Sequence, residues 1–235
     1  MDFIEGEILV FDKPYRWTSF DLVRKVRNKL TRKLRLKKLK VGHAGTLDPL
    51  ATGILVVCTG KATKQIDNLQ AQEKEYIATI EFGRTTPSFD LEKETDAVYP
   101  YNHITSEELE PVLKSFIGKS MQIPPVFSAK NIDGRRAYEF AREGTEIKME
   151  PKPIEIFEME LLDFSLPSVT IRICCSKGTY IRSIARDLGV AMKSGACLTA
   201  LRRTKSGAFS IENALSPEKF DQFLESVEIQ NYKTL

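Results

Sequence analysis

The chain has 235 residues, of which 42% are hydrophobic and 29% charged, with a formal net charge of +3 at pH 7. This composition is typical of a packed globular protein rather than a disordered chain. So small a net charge does not by itself indicate a nucleic-acid partner. No run of about 18 apolar residues is present to cross a membrane, and the N-terminus carries acids where a secretory signal carries bases, so we expect a cytoplasmic protein.

The first predicted elements are a strand at 7–12 and a helix from Ser19 to about Leu30, in which apolar residues recur at helical spacing behind Thr18 or Ser19 as the cap. Positive charge follows at once: between residues 24 and 40, ten of seventeen residues are Lys or Arg and none is acidic. Two interpretations remain open. The run either contacts RNA phosphates or forms a solvated face whose interleaved leucines pack on the core.

Segment 40–64 has the composition of a rigid loop that leads into a buried strand at 53–58. Asp48 stands there in largely uncharged surroundings, directly before Pro49 and five residues after His43, with glycines on both sides. Glycines allow positive φ or close approach to a ligand, and a following proline biases the acid toward an extended conformation. Asp48 is either presented to a ligand or only caps its own loop.

Alternation at 73–84 predicts a half-buried strand whose first inward residue is Tyr76, and Thr105 opens a helix with a T-x-x-E capping box. Segment 122–144 begins with a Pro-Pro pair and ends in a short helix from about Arg136. We expect this segment to carry a cluster of positive charge.

Two strands, at 153–163 and 169–176, a helix at about 180–192 and a strand at 196–203 complete the main pattern. A short last helix follows, with Ser216 as its cap and Pro217 in its first position. Because the strands are spaced like hairpins, we predict an α+β fold rather than a doubly wound α/β fold, with a long mixed, mostly antiparallel sheet flanked by helices.

The cysteines and histidines argue against a metal site. Cys58, Cys174, Cys175 and Cys197 show no C-x-x-C spacing, and the two adjacent ones point to opposite faces of a strand. We expect buried, reduced thiols. With two histidines and no paired ligands, zinc has little to bind, so we predict no metal and no cofactor.

Four motifs, in this order along the chain, resemble the signatures of the TruB family of tRNA pseudouridine synthases. They are LVFDKPYRWTS at 9–19, GHAGTLDPLATG at 42–53, KGTYIRS at 177–183 and ALRRTKSG at 200–207. The resemblance covers roughly residues 8–207. It implies a pseudouridine synthase fold and an enzyme that flips uridine 55 out of the tRNA T loop and isomerises it to pseudouridine.

In this family the aspartate of G-H-x-G-x-L-D-P is the catalytic residue, which implies that Asp48 either attacks the sugar covalently or takes a proton from it. The two roles cannot be separated by sequence, since both ask for an ionised carboxylate. The resemblance further implies that Arg182 pairs with Asp48. Read without the family, Arg182 is better interpreted as an exposed helical arginine that pairs with Asp187.

The resemblance also assigns the groups around the target base. Tyr76 stacks on the uracil ring, Tyr180 lines the pocket, His43 takes the place vacated by the flipped nucleotide, and Leu201 lies near the base. As plain sequence features, Tyr76 and Tyr180 are also compatible with core packing. Tyr76→Phe should keep the stacking and lose any proton relay.

Two further regions are assigned by resemblance. Lys13 and Pro14 brace the active-site loop as structural support. The insertion at about 122–150 closes over the T loop, where Lys130, Arg135 and Arg136 contact phosphates. The implied organisation is a catalytic domain at 1–210 and a short helical extension at 211–235, without a complete C-terminal PUA domain, and we expect a monomer that acts on the T arm of tRNA.

Two alternative functions remain at this stage. A non-catalytic tRNA-binding or tRNA-folding protein could use the same scaffold, although it would not need Asp48, Tyr76 and Arg182 together. A related synthase could act on ribosomal RNA. A phosphate-cradling role for the glycine-rich loop is disfavoured, because the loop lacks the G-x-x-x-x-G-K-[ST] order and places an acid where the anion would sit.

Overall fold

The computed structural model describes residues 1–128, 131–132, 135–136 and 149–230, and for 131–132 and 135–136 it describes the backbone only. The strands in this part of the chain are β1 Ile8–Lys13, β2 Val41–His43, β3 Ala51–Thr59, β4 Lys74–Phe82, β5 Arg84–Thr85, β6 Ala97–Val98, β7 Gly118–Gln122, β8 Asn131–Ile132, β9 Arg135–Arg136, β10 Lys152–Ser165, β11 Ser168–Cys175, β12 Ala196–Ser206 and β13 Phe209–Ser210.

The α-helices of the described residues are α1 Ser19–Lys33, α2 Ile66–Ala71, α3 Ser106–Ser115, α4 Ile181–Ala191 and α5 Phe220–Ser226, and short 3-10 turns occur at Gly60–Gln65 and Ile211–Asn213. The chain divides into two units. The first comprises Met1–Tyr76 with the described part of Arg202–Leu235, and the second comprises the described part of Ile77–Leu201.

The first unit is built on strands in the order β1-β3-β12-β4, with β2 paired to β3 and β13 to β12. Both β1 and β2 run antiparallel to β3. The apolar face of α1 packs on this sheet together with α5, and the ring of Phe11 meets the ring of Phe220 edge-on at 5.2 Å. Burying side chains of this size stabilises the unit by about 2 kcal/mol each.

The second unit contains strands in the order β12-β4-β11-β10-β7. The pairs β10–β11 and β10–β7 are antiparallel. Helix α3 packs against β10 and α4. Along β4 the burial alternates strictly from Lys74 to Phe82, as expected of a strand with one face inward.

The predicted α+β fold with a mostly antiparallel sheet is confirmed. Helix α1 begins as predicted, since the Thr18 hydroxyl accepts from the Asp21 amide and the Asp21 carboxylate accepts from the Thr18 amide. The leucines interleaved with the basic residues pack on the core, with Leu39 buried and Leu34 and Leu36 half-buried. The cap residues and the spacing of apolar residues were therefore sufficient to predict the start of α1 and to indicate the packing of these leucines.

Two local predictions were wrong. The last helix begins at Phe220, because residues 217–219 form a turn in which the Ser216 hydroxyl accepts from the Glu218 amide. The inward face of β4 begins at Lys74, whose ammonium donates to the carbonyls of Leu69 and Gln70. A buried lysine breaks the simple apolar pattern because backbone carbonyls satisfy its charge. The predicted short helix after Arg136 lies outside the described residues.

The four cysteines are thiols that form no disulfide with one another, and three of them are buried, as predicted; Cys174 is half-buried. Burial raises the pKa of the Cys58 thiol to about 11, which keeps it protonated and unreactive at neutral pH. Within the described residues, no helix is both long enough and apolar enough to span a membrane.

Candidate active site

Asp48 lies in a loop, residues 44–50, that joins β2 to β3. Hydrogen bonds from the start of α1 and within the loop itself fix its backbone. The Ser19 hydroxyl at the start of α1 donates to the carbonyl of Leu47 at 3.1 Å and accepts from its amide at 2.9 Å. The amide of Ala51 donates to the Asp48 carbonyl at 3.1 Å. Asp48 itself is half-buried, so its carboxylate is held in place yet reachable.

Lys13 ties the end of β1 to this loop. Its side chain is fully buried, and Nζ donates to the carbonyls of Trp17 at 2.6 Å, Pro14 at 2.9 Å and Pro49 at 3.4 Å. Burial lowers the pKa of Lys13 to about 8, and the negative charge of nearby Asp48 opposes that shift. The buried ammonium of Lys13 is therefore near enough to Asp48 for the two charges to attract each other.

His43 ends β2, where it pairs with Val57 of β3. Burial lowers the pKa of its imidazole, and the positive charge of Arg203 lowers that pKa further. Because the ordinary value is already below neutrality, the ring is uncharged at pH 7. It is half-buried and offers a neutral planar surface.

Arg203, on β12, is the largest fully buried side chain in the described part of the protein. Its Nε donates to the carbonyl of Ile54 at 2.8 Å and its Nη2 to that of Gly45 at 3.1 Å. Arg203 was not predicted as a site residue, although it stands within the motif ALRRTKSG at 200–207. A charged residue in a strand cannot be identified as buried until its distant partners are known.

Arg182 is buried in the first turn of α4, in the second unit. Its Nη1 donates to the carbonyls of Phe127 at 2.9 Å and Ser88 at 3.3 Å, and its Nε lies 3.6 Å from Oδ2 of Asp90. Asp187 pairs instead with Arg186, at 2.7 Å. The interpretation of Arg182 as an exposed arginine paired with Asp187 is therefore wrong.

Asp90 was not predicted, and the structure places it in a constrained loop. Its carbonyl accepts from the hydroxyls of Thr86 at 2.6 Å and Ser88 at 3.2 Å. The preceding Phe89 has φ of +61°, which costs a non-glycine residue about 1–3 kcal/mol. Its ring lies under the guanidinium of Arg186, 4.9 Å from the centroid. These contacts fix the backbone that presents the Asp90 carboxylate to Arg182.

Tyr180 is the residue before α4, and the side chain of Gln122 holds its backbone at both ends. The Tyr180 amide donates to Oε1 of Gln122 at 2.8 Å, and Nε2 of Gln122 donates to the Tyr180 carbonyl at 3.1 Å. Gln122 is buried. One amide therefore sets the backbone from which the Tyr180 side chain, itself half-buried, projects.

The remaining predicted residues fall at three places. Tyr76 lies on the inward face of β4 and is 9% exposed, and Leu201 is half-buried in β12. Arg135 and Arg136 form β9, which pairs antiparallel with β8. Lys130 lies outside the described residues.

No group of three or more His, Cys, Asp or Glu side chains in the described part of the chain is arranged to hold a metal ion.

A basic pocket of about 330 Å³ lies in the first unit, between the end of the basic run and the turn after β3. Its lysines are Lys38, Lys40, Lys61 and Lys64, and its apolar residues include Leu36 and Leu39. Lys61 pairs with Glu5 at 2.7 Å, whereas the other three lysines are exposed and have no acidic partner among the described residues. The pocket therefore presents uncompensated positive charge.

Comparison with known proteins agrees with these features. Residues 31–181 match the sequence profile of the TruB family pseudouridylate synthase (N terminal domain). The tRNA pseudouridine synthase B of Parabacteroides distasonis is 62% identical over 96% of each chain, and that of Flavobacterium johnsoniae is 49% identical over 95% of this chain and 98% of its own.

Among solved structures, the chain is similar to one in "Crystal Structure of a Cbf5-Nop10-Gar1 Complex", with a TM-score of 0.70 and 26% identity. That similarity covers 96% of this chain but 58% of the solved one, so this chain spans somewhat over half the length of that solved chain. A sequence match over most of the chain and relatives that match almost end to end lead to one assignment: the chain belongs to the TruB family of pseudouridylate synthases and is an RNA pseudouridine synthase.

Proposed function

We propose that the protein is a tRNA pseudouridine-55 synthase, which isomerises the T-loop uridine 55 of tRNA. The observation that carries this proposal is the end-to-end match to relatives named tRNA pseudouridine synthase B, at 62% and 49% identity. Fold alone would not select a substrate. Identity over whole chains includes the surfaces that bind substrate, and this favours a shared substrate over an unrelated RNA.

The reaction breaks the bond between N1 of uracil and C1′ of the sugar, turns the base and joins C5 to C1′. N1 gains a proton and C5 loses one, so the product is an isomer of the substrate. We assign Asp48 as the catalytic carboxylate, which either attacks the sugar or removes a proton from it. Its fixed loop, its partial exposure and its attraction to the buried ammonium of Lys13 support this assignment.

Arg182 is the proposed partner of Asp48, as the family resemblance implies. The support in this chain is that Arg182 is only 4% exposed and is held by two carbonyls and by Asp90. A guanidinium fixed in this way keeps its charge in one position, and a preorganised charge needs no rearrangement during the reaction.

The other proposed contacts serve base flipping. A base taken out of its stack loses favourable contact, and an aromatic face returns about 1–3 kcal/mol of it; we assign that face to Tyr76. Tyr180 and Leu201 line the remainder of the base pocket. His43 fills the space left by the extruded nucleotide, a role that suits a ring which burial keeps neutral.

RNA is held through phosphates in this proposal. The basic pocket supplies three lysines without acidic partners in the described part of the chain, Lys38, Lys40 and Lys64. The insertion supplies Lys130, Arg135 and Arg136, which we propose contact the T arm. We further propose that one copy of the chain is sufficient for binding.

The test is tritium release from a tRNA transcript labelled at C5 of uridine, since forming the new C5–C1′ bond expels that hydrogen. We expect release by the wild-type protein, and a loss of at least about 1000-fold in Asp48→Asn, because the amide can neither attack nor accept the proton. The affinity for tRNA should stay within about threefold. Asp67→Asn, an exposed acid on α2, is the matched control and should retain full activity.

A transcript in which cytidine replaces the target uridine identifies the position. Release that survives this replacement would overturn the proposed site while keeping the chemistry. Tight tRNA binding without release by the wild type would instead favour a tRNA-binding protein on the same scaffold.

A further inference from the structure

Arg203 and its neighbour Arg202 occupy opposite environments on β12. Arg202 is 42% exposed and makes a bidentate pair with Asp12, at 2.7 and 3.1 Å. Arg203 is 1% exposed, and no carboxylate among the described residues lies within ion-pair distance of it. Burying a charge without an opposite charge is costly unless its donors are satisfied, so the contacts of Arg203 require an explanation.

Backbone carbonyls receive the guanidinium of Arg203. Nε donates to Ile54 at 2.8 Å, Nη2 to Gly45 at 3.1 Å, and Nη1 lies 3.5 Å from the carbonyl of Thr46. Ile54 follows Asp48 in the chain, whereas Gly45 and Thr46 precede it. The planar fork of one arginine thus ties the loop that carries Asp48 to β3, the strand that follows it. A lysine with a single nitrogen cannot do this in the same geometry.

The backbone of Arg203 also contacts β3, at Gly53. Gly53 has φ of +100°, and a Cβ at this position would lie 2.2 Å from the Arg203 carbonyl oxygen. Only glycine permits this approach. The contacts of Arg203 therefore reach residues 45–46 on one side of Asp48 and 53–54 on the other.

The charge of Arg203 also reaches the start of the loop. It lowers the pKa of His43 and that of Lys13, the two groups that flank the loop. Loss of this charge would therefore alter both the position of the loop and the electrostatics at its two ends.

We propose that Arg203 is a positioning residue that clamps the chain on both sides of Asp48, in the loop at 45–46 and in β3 at 53–54, and holds the carboxylate in its reactive position. This inference rests on the proposed function of Asp48. The residue does not touch the reacting atoms in this scheme. It acts through the backbone of residues 45–46 and 53–54.

The first experiment measures how firmly the clamp holds the backbone around Asp48, and it does not depend on enzymatic activity. Amide hydrogen exchange is followed in wild type, Arg203→Lys and Arg202→Lys, the last being a matched control on the same strand. We expect faster exchange confined to peptides covering residues 44–55 in Arg203→Lys and unchanged exchange there in Arg202→Lys. Unchanged exchange in both variants would overturn the clamp.

The second experiment measures turnover on the labelled tRNA transcript, with the active fraction fixed by the stoichiometry of tRNA binding. We expect kcat of Arg203→Lys to fall by about 100-fold, the loss typical of a small misplacement of a catalytic group. KM should change less than threefold. Equal kcat for Arg203→Lys and wild type would overturn the proposal. It would also be overturned if the tRNA-binding stoichiometry of Arg203→Lys fell enough to account for the whole loss of turnover.

If Arg203→Lys does not fold, Gly53→Ala tests the same clamp from the other side, because the new Cβ displaces the Arg203 backbone although the arginine itself is retained. It should also speed exchange at 44–55 and lower kcat, and wild-type exchange with wild-type kcat would overturn the clamp. A wild-type protein with no activity on tRNA would contradict the proposed function alone, since the exchange result stands without it.

Discussion

Arg182 and Asp90 form an ion pair in which both side chains are almost completely buried, with Nε and Oδ2 3.6 Å apart. The other oxygen of Asp90 accepts from the amide of Glu92 at 3.0 Å. An aspartate with both oxygens engaged is fixed in orientation, and it fixes the guanidinium in turn. The arginine that the family resemblance assigns to the active site thus has a structural partner in its own unit.

Asp90→Asn should weaken both stability and catalysis. The substitution leaves the buried Arg182 without this charge partner, so we expect the free energy of unfolding to fall by about 3 kcal/mol. We expect kcat to fall by up to about 100-fold as the guanidinium shifts. Denaturant unfolding and tritium release measure the two effects. Asp187→Asn, which removes the acid paired with Arg186, should change kcat less than twofold, and equal kcat losses in both variants would contradict the role of Asp90.

Lys13→Met should destabilise the first unit in a pH-dependent way. Burial places the pKa of Lys13 at about 8, below its ordinary 10.5. Between these two values the unfolded chain binds more protons than the folded one, so the wild type gains stability as the pH rises. Its free energy of unfolding, relative to Lys13→Met, should therefore be larger at pH 9.5 than at pH 7.5. A difference that does not change with pH would show that Lys13 titrates normally.

At neutral pH, Lys13→Met should also cost stability outright. The ammonium donates to the carbonyls of Trp17 and Pro14, and their loss inside the protein should lower the free energy of unfolding by about 2–3 kcal/mol. Lys61→Met, which removes an exposed lysine paired with Glu5, should cost less than about 1 kcal/mol. Urea unfolding of the two variants gives the comparison. Equal losses of unfolding free energy would show that burial of Lys13 adds nothing to its contribution to stability.

Tyr76→Phe separates stacking from proton transfer. The ring remains on the inward face of β4, so tRNA affinity should stay within about twofold, whereas Tyr76→Leu should lose about 1–3 kcal/mol of stacking. If the hydroxyl assists removal of the C5 proton, kcat falls in Tyr76→Phe while KM is unchanged. Identical kcat values for wild type and Tyr76→Phe would limit this residue to stacking.

Replacing Lys38, Lys40 and Lys64 together by Gln should weaken tRNA binding mainly at low salt. Each lost phosphate contact should reduce the slope of log K against log salt by about 0.7–0.9. The control removes three exposed lysines from the second unit, Lys114, Lys119 and Lys193. Equal effects in the two triple variants would show that the basic pocket has no special part in binding.

Local signals predicted much of the fold. Thr18 and Asp21 begin α1 with a reciprocal cap, and the alternation of β4 follows from a period of two. These signals act over a few residues, so a sequence window contains them. The start of α5 was misplaced because Ser216 makes a turn rather than a cap. In both conformations the serine hydroxyl accepts a hydrogen bond from a backbone amide a few residues later.

The sequence by itself determined the family, the order of most elements and the residues that the motifs single out, including Asp48 and Arg182. Only the tertiary structure decided that Asp90 pairs with Arg182 and that Arg203 reaches the carbonyls of Gly45 and Ile54, which lie 158 and 149 positions away in the chain. The physical reason is that the cost of a buried charge depends on partners brought close by folding, and no local pattern encodes them.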